Sequence, residues 1–163
     1  MKSTLSRSKP SRSKGPLKSP ALSQKLIVFE IGKLVVAFPI ERVYKIINRT
    51  PVHSSGLSYT GITQIDGREI TVVDLHQRLF GAPSQDDGQT QGYLVIVQSI
   101  QNEFFSIPTA NTPTLMAVPL SRMRTLPEAY RRSDTLEIAS HVAMISHAEQ
   151  EMTIFLLDVN RLI

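Results

Sequence analysis

The side chains that could carry out acid–base or metal chemistry are dispersed along this chain. The four histidines are His53, His76, His141 and His147, and no two of them share the short spacing that brings metal ligands together on one element. The chain has no cysteine, which excludes a disulfide framework, thiolate catalysis and a cysteine-ligated zinc site. We therefore expect neither a metal ion nor a cofactor.

Two aspartates, Asp74 and Asp158, occupy the best-defined positions among the carboxylates. Each ends an apolar run, over residues 70–73 and 152–157, and a short segment with helical spacing follows. An aspartate at such a position accepts hydrogen bonds from the free amide groups of the helix that comes next. We interpret both as N-caps and not as a catalytic pair.

Sequence motifs for catalysis are absent from the chain. It has no phosphate-binding loop, no nucleophile elbow and no dinucleotide fingerprint. A small hydrolase would need a nucleophile beside a base, and no such arrangement can be named in this sequence. We therefore expect that the protein is not an enzyme.

The surroundings of the two aspartates resemble each other. Residues 72–75 read V-V-D-L, residues 156–159 read L-L-D-V, and an Arg-Leu pair follows in both places. The offset is 84 residues up to the aspartates (158 − 74) and 83 at the arginines (161 − 78). Similarity at half of the chain length predicts two related halves, whereas solenoid repeats recur every 20–50 residues or so. Chance is the alternative, because an aspartate between apolar residues is a common string.

Short strands are the elements that must position these residues. Asp66-Gly67 predicts a tight turn, since glycine accepts a positive φ without steric cost. The β-branched residues 70–73 favour a strand after the turn, and residues 61–65 are predicted as the strand before it. Residues 40–47 carry apolar side chains at positions 40, 43, 46 and 47, which is the spacing of a helical face or turn.

A second hairpin is predicted near the start of the body. Residues 26–31 and 34–38 are apolar runs across Gly32-Lys33, and Pro39 ends the second run. Further strands are predicted at residues 93–97, 103–107, 116–118 and 152–157, with loops at 48–59 and 121–135. Residues 138–145 are apolar but interrupted by Ser140 and His141. Short strands with frequent turns indicate an all-β fold with short helices, arranged as small β-barrels or a sandwich.

Charge divides the chain into a tail and a body. Residues 1–24 hold six Lys or Arg and no acid, so the net charge of +4 is a +6 tail on a −2 body. We predict that this basic tail is disordered and makes at most weak membrane contact. It lacks the apolar core of a secretory signal, and we expect a cytoplasmic protein. Order is expected from about Lys25, and residues 81–92 form a flexible connector.

The sequence resembles the CheW-like domain, the scaffold of bacterial chemosensory arrays, over about residues 25–163. Residues 26–32, L-I-V-F-E-I-G, are similar to the opening strand of that family. Residues 38–46, F-P-I-E-R-V-Y-K-I, are similar to its second strand and V-x-E-I turn. Residues 61–75 are similar to its G-x-x-N-L-R-G-x-x-x-P-V-V-D-L signature.

The resemblance implies two small five-stranded β-barrel-like lobes around a shared core. The first lobe is expected at about residues 25–80, the second at about 92–150, and a C-terminal strand and turn at 151–163. It also implies a non-enzymatic adaptor without a cofactor, in taxis or pilus-type surface motility. Its partners would be the regulatory domain of a chemosensory histidine kinase and the cytoplasmic tip of a methyl-accepting receptor. The alternative is a small β-barrel protein that associates with nucleic acid through the basic tail, although no basic–aromatic pattern marks an RNA-binding sheet.

The chain departs from the family pattern at charged positions. The acidic residue of V-x-E-I is Lys45 here, and the arginine of N-L-R-G is Asp66, so both signs are inverted. The signature proline is Thr71, and residues 106–112 replace the G-x-x-V-D-x-V of the second half.

We predict a partner surface on the first half of the body. Exposed apolar side chains with charges around them are typical of an interface; the alternative is that these isoleucines pack into the lobe. The predicted partner-binding residues are Ile40, Val43, Lys45, Ile46, Ile65, Asp66, Gly67 and Arg68.

Overall fold

The computed structural model describes residues 22–54, 56–82, 91–131 and 137–163, without the side chains of residues 130 and 131. The predicted tail and connector lie largely outside these ranges. The strands are β1 Ser23–Ile31, β2 Leu34–Pro39, β3 Val43–Asn48, β4 Thr60–Ile65, β5 Arg68–Val73, β6 Tyr93–Gln98, β7 Phe104–Thr109, β8 Thr114–Pro119, β9 Met123–Thr125, β10 Ala139–His147 and β11 Gln150–Leu157. The helices are α1 Leu75–Phe80 and α2 Glu128–Arg131, with 3-10 turns at Ile40–Arg42, Leu120–Arg122 and Val159–Arg161.

The strands form two sheets, which we name lobe A and lobe B. Lobe A has six strands in the order β8-β1-β2-β11-β10-β9, and lobe B has five in the order β3-β6-β7-β5-β4. Neighbouring strands are antiparallel except for one parallel pair in each lobe, β2 with β11 and β5 with β7. None of the helices described is long and apolar enough to cross a membrane.

The two lobes repeat one arrangement of strands. Strands β1 to β5 of the first half correspond, in that order, to β6, β7, β8, β10 and β11 of the second half. When each strand of lobe B is replaced by its counterpart, the order becomes β8-β1-β2-β11-β10, which is lobe A without β9. Apart from β9, each lobe therefore combines a hairpin from one half of the chain with three strands from the other half. The predicted halves correspond to this structural repeat. The two predicted lobes are continuous ranges of the chain, 25–80 and 92–150, and each of these ranges contributes strands to both sheets.

Apolar side chains pack in three places. A shared core between the sheets contains Phe29, Phe38, Val73, Val95, Ile107 and Leu157 among its members. The interior of lobe A contains Leu26, Val28, Ala37, Val118, Ala143, Ile154 and Leu156. The interior of lobe B contains Ile65, Ile70, Leu94 and Ile96. Burial of this apolar area is the main force that holds the two sheets together.

Two local predictions are corrected by the structure. Residues 40–47 do not form one helical face: the 3-10 turn Ile40–Arg42 is followed by strand β3, whose residues alternate between half-buried and exposed. The β-branched side chains of this segment favour an extended backbone. Strand β1 starts at Ser23, close to the start of order predicted near Lys25. The predicted loop at 121–135 contains β9 and α2, and its residues 132–136 lie outside the described ranges.

Candidate protein interface

The turn between β4 and β5 sets the position of the predicted charged residues. Asp66 and Gly67 have φ values of 53° and 73°, so both lie in the left-handed region that a two-residue hairpin turn requires. The turn pairs Ile65 with Arg68 and leaves Asp66, Gly67 and Arg68 exposed. The predicted tight turn is confirmed.

An ion pair joins the two edges of lobe B. Strands β3 and β4 lie at opposite edges of the five-stranded sheet, yet the ammonium group of Lys45 donates a hydrogen bond to the Oδ2 of Asp66. The sheet must therefore curl until its edges meet, as in a barrel. The hydrogen bond that Lys45 donates to Asp66 raises the pKa of Lys45, and partial desolvation opposes this rise, so Lys45 remains charged at neutral pH.

Aromatic rings extend the contact between the edges. The ring of Tyr44 meets the ring of Phe104 edge-on, with 5.0 Å between the centroids. The guanidinium carbon of Arg68 lies 5.2 Å from the Phe104 centroid, and the Lys45 Nζ lies 5.8 Å from the Tyr44 centroid. Such cation–π and edge-to-face contacts fix the relative positions of the groups. We name Tyr44, Lys45, Asp66, Arg68 and Phe104 the seam of lobe B.

The apolar residues of the predicted surface fall into two sets. Ile40 and Ile46 are 36% and 37% exposed, and Val43 is half-buried against the shared core. Ile65 is 6% exposed and packs in the interior of lobe B, so it lies behind the surface that the seam forms. The structure thus brings Lys45, Asp66 and Arg68 together and places Ile65 in the core beneath them.

Sequence reasoning missed Tyr44 and Phe104. Tyr44 is 57% exposed, and its position between two half-buried strand residues could have shown that it faces outward. Phe104 had no comparable signal, because it reaches the seam through the pairing of β7 with β5 and β6 and through closure of the sheet.

The remaining candidate residues have structural roles. Asp74 Oδ1 accepts the backbone N–H of Gln77 at 3.1 Å, and Asp158 Oδ1 accepts that of Asn160 at 2.9 Å. The prediction that both are N-caps is confirmed. In the part of the chain described, no group of three or more His, Asp or Glu side chains is arranged to hold a metal ion.

Comparison with known proteins identifies the family and supports the fold. The family model for the CheW-like domain matches residues 25–163. The chain belongs to the CheW-like domain family. A CheW structure, the scaffolding protein TtCheW from Thermoanaerobacter tengcongensis, is similar with a TM-score of 0.68 and 13% identity, over 90% of this chain and 91% of that chain. At that identity the similarity supports the CheW-like fold, and the predicted fold class is confirmed. A search of curated proteins finds no match.

The CheW-like family is a family of signalling scaffolds and adaptors. Against its sequence pattern, the two inverted charges of this chain, Lys45 and Asp66, are the two members of one ion pair. The pair places its positive charge on β3 and its negative charge at the β4–β5 turn.

Proposed function

We propose that this protein is a non-enzymatic cytoplasmic adaptor that couples methyl-accepting receptors to a chemosensory histidine kinase in taxis or pilus-type surface motility. The observation that supports the proposal is the seam of lobe B, a group of exposed and half-buried charged and aromatic side chains on a CheW-like scaffold. Aromatic and arginine side chains are enriched at protein interfaces. The partners would be the kinase regulatory domain and the cytoplasmic tip of the receptor.

The proposed partner surface combines the seam with its apolar neighbours on β3. Tyr44 and Ile46 alternate with half-buried residues along the strand, so both face outward, and Ile40 precedes the strand on the 3-10 turn. Exposed apolar side chains beside charges can be covered by a partner, while the charges select which partner fits. Gly67 adopts the left-handed conformation that the turn requires, between the exposed residues Asp66 and Arg68.

A binding measurement with the kinase regulatory domain tests the surface. Ile46→Asp places a charge in the centre of the surface, and we expect at least about a tenfold loss of affinity by calorimetry. Met144→Asp is the matched control, because Met144 is also an exposed apolar strand residue, 54% accessible, but lies in lobe A. Equal affinities for the two variants, with both folded, would show that β3 isn't at the interface.

The inverted ion pair suggests how this adaptor is kept apart from a typical array. A partner that presents charges complementary to the usual family polarity would meet like charges at Lys45 and Asp66. Repulsion of that kind excludes wrong partners more effectively than it strengthens correct ones. We propose that the cognate partner carries the complementary inversion, so that the adaptor is insulated from a family-typical kinase or receptor.

A further inference from the structure

A polar cleft lies where the two lobes meet, at the end of β4 and β5 opposite the seam. It has a volume of about 320 Å³, which is within the range of small-molecule sites. Its walls come from the β1–β2 turn, the segment between β3 and β4, the start of β4, the end of β5, the first turn of α1 and the β7–β8 loop. The cleft is therefore formed by both lobes and doesn't overlap the seam.

Three side chains of the cleft are held in place by their own hydrogen bonds. Glu30 Oε1 accepts from the Asn111 amide nitrogen at 3.0 Å, and Asp74 Oδ1 accepts a backbone N–H of α1 at 3.1 Å. His76 Nδ1 lies 2.7 Å from the carbonyl oxygen of Ala82. A site whose polar groups are already oriented loses less conformational freedom on binding a ligand.

Each of the three side chains keeps one acceptor for a ligand. Within the described residues, no hydrogen bond or ion pair occupies Glu30 Oε2 or Asp74 Oδ2. A carbonyl oxygen only accepts, so His76 Nδ1 donates its hydrogen to Ala82, and in the tautomer with a single hydrogen on Nδ1 the Nε2 atom is an acceptor. The cleft thus offers two carboxylate oxygens and one imidazole nitrogen to a donor.

Among the described residues, no group of three or more His, Asp and Glu side chains could hold a metal ion, and the side chains of this cleft are no exception. A guanidinium group carries five N–H donors on a flat cation, and an alkyl chain behind it can reach a further acceptor. Arg49 also lines the cleft, and its Nη1 lies 3.5 Å from the carbonyl oxygen of Gln91.

We propose that this cleft binds an alkylguanidinium group through Glu30, Asp74 and His76. The group could come from a free small molecule such as agmatine, or from an arginine side chain of a basic segment, of which residues 1–21 of this chain are one. The two sources share the same chemistry at the cleft. The proposal goes beyond the adaptor function and does not depend on it.

Titration of the full chain with agmatine, followed by backbone amide NMR, tests the proposal. We expect saturable shifts of Gly32 and Gly61, which line the cleft. Glu30→Gln and Asp74→Asn each remove one charge, and each should weaken binding about tenfold. Glutamine can still accept from Asn111, and asparagine is itself a good N-cap, so both variants should fold.

The repeat supplies a matched control for this titration. Asp158→Asn changes the equivalent N-cap of the other half, which does not line the cleft, and it should leave agmatine affinity unchanged. Equal weakening by Asp74→Asn and Asp158→Asn would overturn the proposal. Absence of a saturable shift at several millimolar agmatine, or shifts spread over the surface and abolished at about 150 mM salt, would overturn it too.

A variant with the six basic residues of the tail replaced by glutamine distinguishes the two sources. If an arginine of the tail occupies the cleft, agmatine binds this variant more tightly than the parent, and the Gly32 and Gly61 amides move before agmatine is added. If the ligand is a free small molecule, the two proteins bind agmatine equally. Both results support guanidinium recognition by the cleft and assign its source.

Discussion

The two lobes have the same strand order but close it by different means. In lobe B the edge strands β3 and β4 are joined by the Lys45–Asp66 ion pair and by the packed rings of the seam. In lobe A the edge strand β10 is extended by a further strand, β9, which pairs with it over three residues. At the equivalent edge of lobe B, strand β4 has only a single bridge among the described residues, between Ile62 and His53. Among the described residues, no ion pair joins β8 to β9. Topology thus sets the strand order, and side chains decide where specific surface chemistry is placed.

The interiors of the lobes also differ at equivalent positions. Ala37 on β2 pairs with Leu156, and Ser106 on β7 pairs with Val72. Ala37 and Ser106 therefore occupy equivalent positions of the repeat. Both are fully buried. The Ser106 hydroxyl has no hydrogen-bond partner in the part of the chain described, so lobe B carries a buried polar group where lobe A carries a methyl group.

Substitutions in the shared core should have the largest effect on stability. Val73 and Leu157 are 0% and 3% exposed and end the equivalent strands β5 and β11. We expect Val73→Ala and Leu157→Ala each to lower the free energy of unfolding by about 2–4 kcal/mol, with Leu157 the larger because more volume is removed. Denaturant unfolding measures both, and a neutral result for either would contradict equivalent packing of the two halves.

Exchanging the buried serine and alanine should move stability in opposite directions. Ser106→Ala removes an unpaired buried hydroxyl and should raise the free energy of unfolding by about 1 kcal/mol. Ala37→Ser introduces the same group into lobe A and should lower it by about 1–3 kcal/mol. Chemical unfolding of both variants checks the pair of signs; stabilisation by Ala37→Ser would refute the equivalence of the two sites.

The stability lost on removing an N-cap should depend on the length of the element that it caps. Asp74 caps the six-residue helix α1, while Asp158 caps a three-residue 3-10 turn. We expect Asp74→Ala to lower the free energy of unfolding by about 1 kcal/mol and Asp158→Ala to lower it less. Thermal unfolding of both variants compares them, and the reverse order would mean that the short turn depends more on its cap than the helix does.

The seam ion pair should have the smallest effect on stability. Its side chains are 35% and 73% exposed, and exposed pairs contribute little to folding. Asp66→Asn should lower the melting temperature by no more than about two degrees. The pKa of Lys45 is raised from 10.5, so the contribution of the pair is present below that value and is lost as pH rises through the raised pKa. The difference in melting temperature between the variant and the parent should therefore stay constant between about pH 6 and 8. A change of this difference within that interval would indicate another titrating partner.

Local features of the fold could be predicted from the sequence, because they depend on neighbouring residues. The turn at Asp66-Gly67, the hairpin around Gly32 and the N-caps Asp74 and Asp158 are examples. Residues 40–47 misled the prediction, since apolar side chains at intervals of three also fit a turn followed by a strand. The meeting of Lys45 with Asp66 could not be predicted, because it requires the sheet to be closed by strands from both halves of the chain.

Charge reversal at the seam tests the central proposal most directly. The double variant Lys45→Glu, Asp66→Arg restores the usual polarity of the family and keeps an attractive pair, and its affinity would be measured for the cognate kinase domain and for a family-typical one. Lys33→Glu with Glu151→Lys, exposed charges in lobe A, is the control for net charge. We predict loss of cognate binding and gain of family-typical binding only in the seam variant. Affinities for both domains that stay within about twofold of the parent would contradict the proposal that the seam selects the partner.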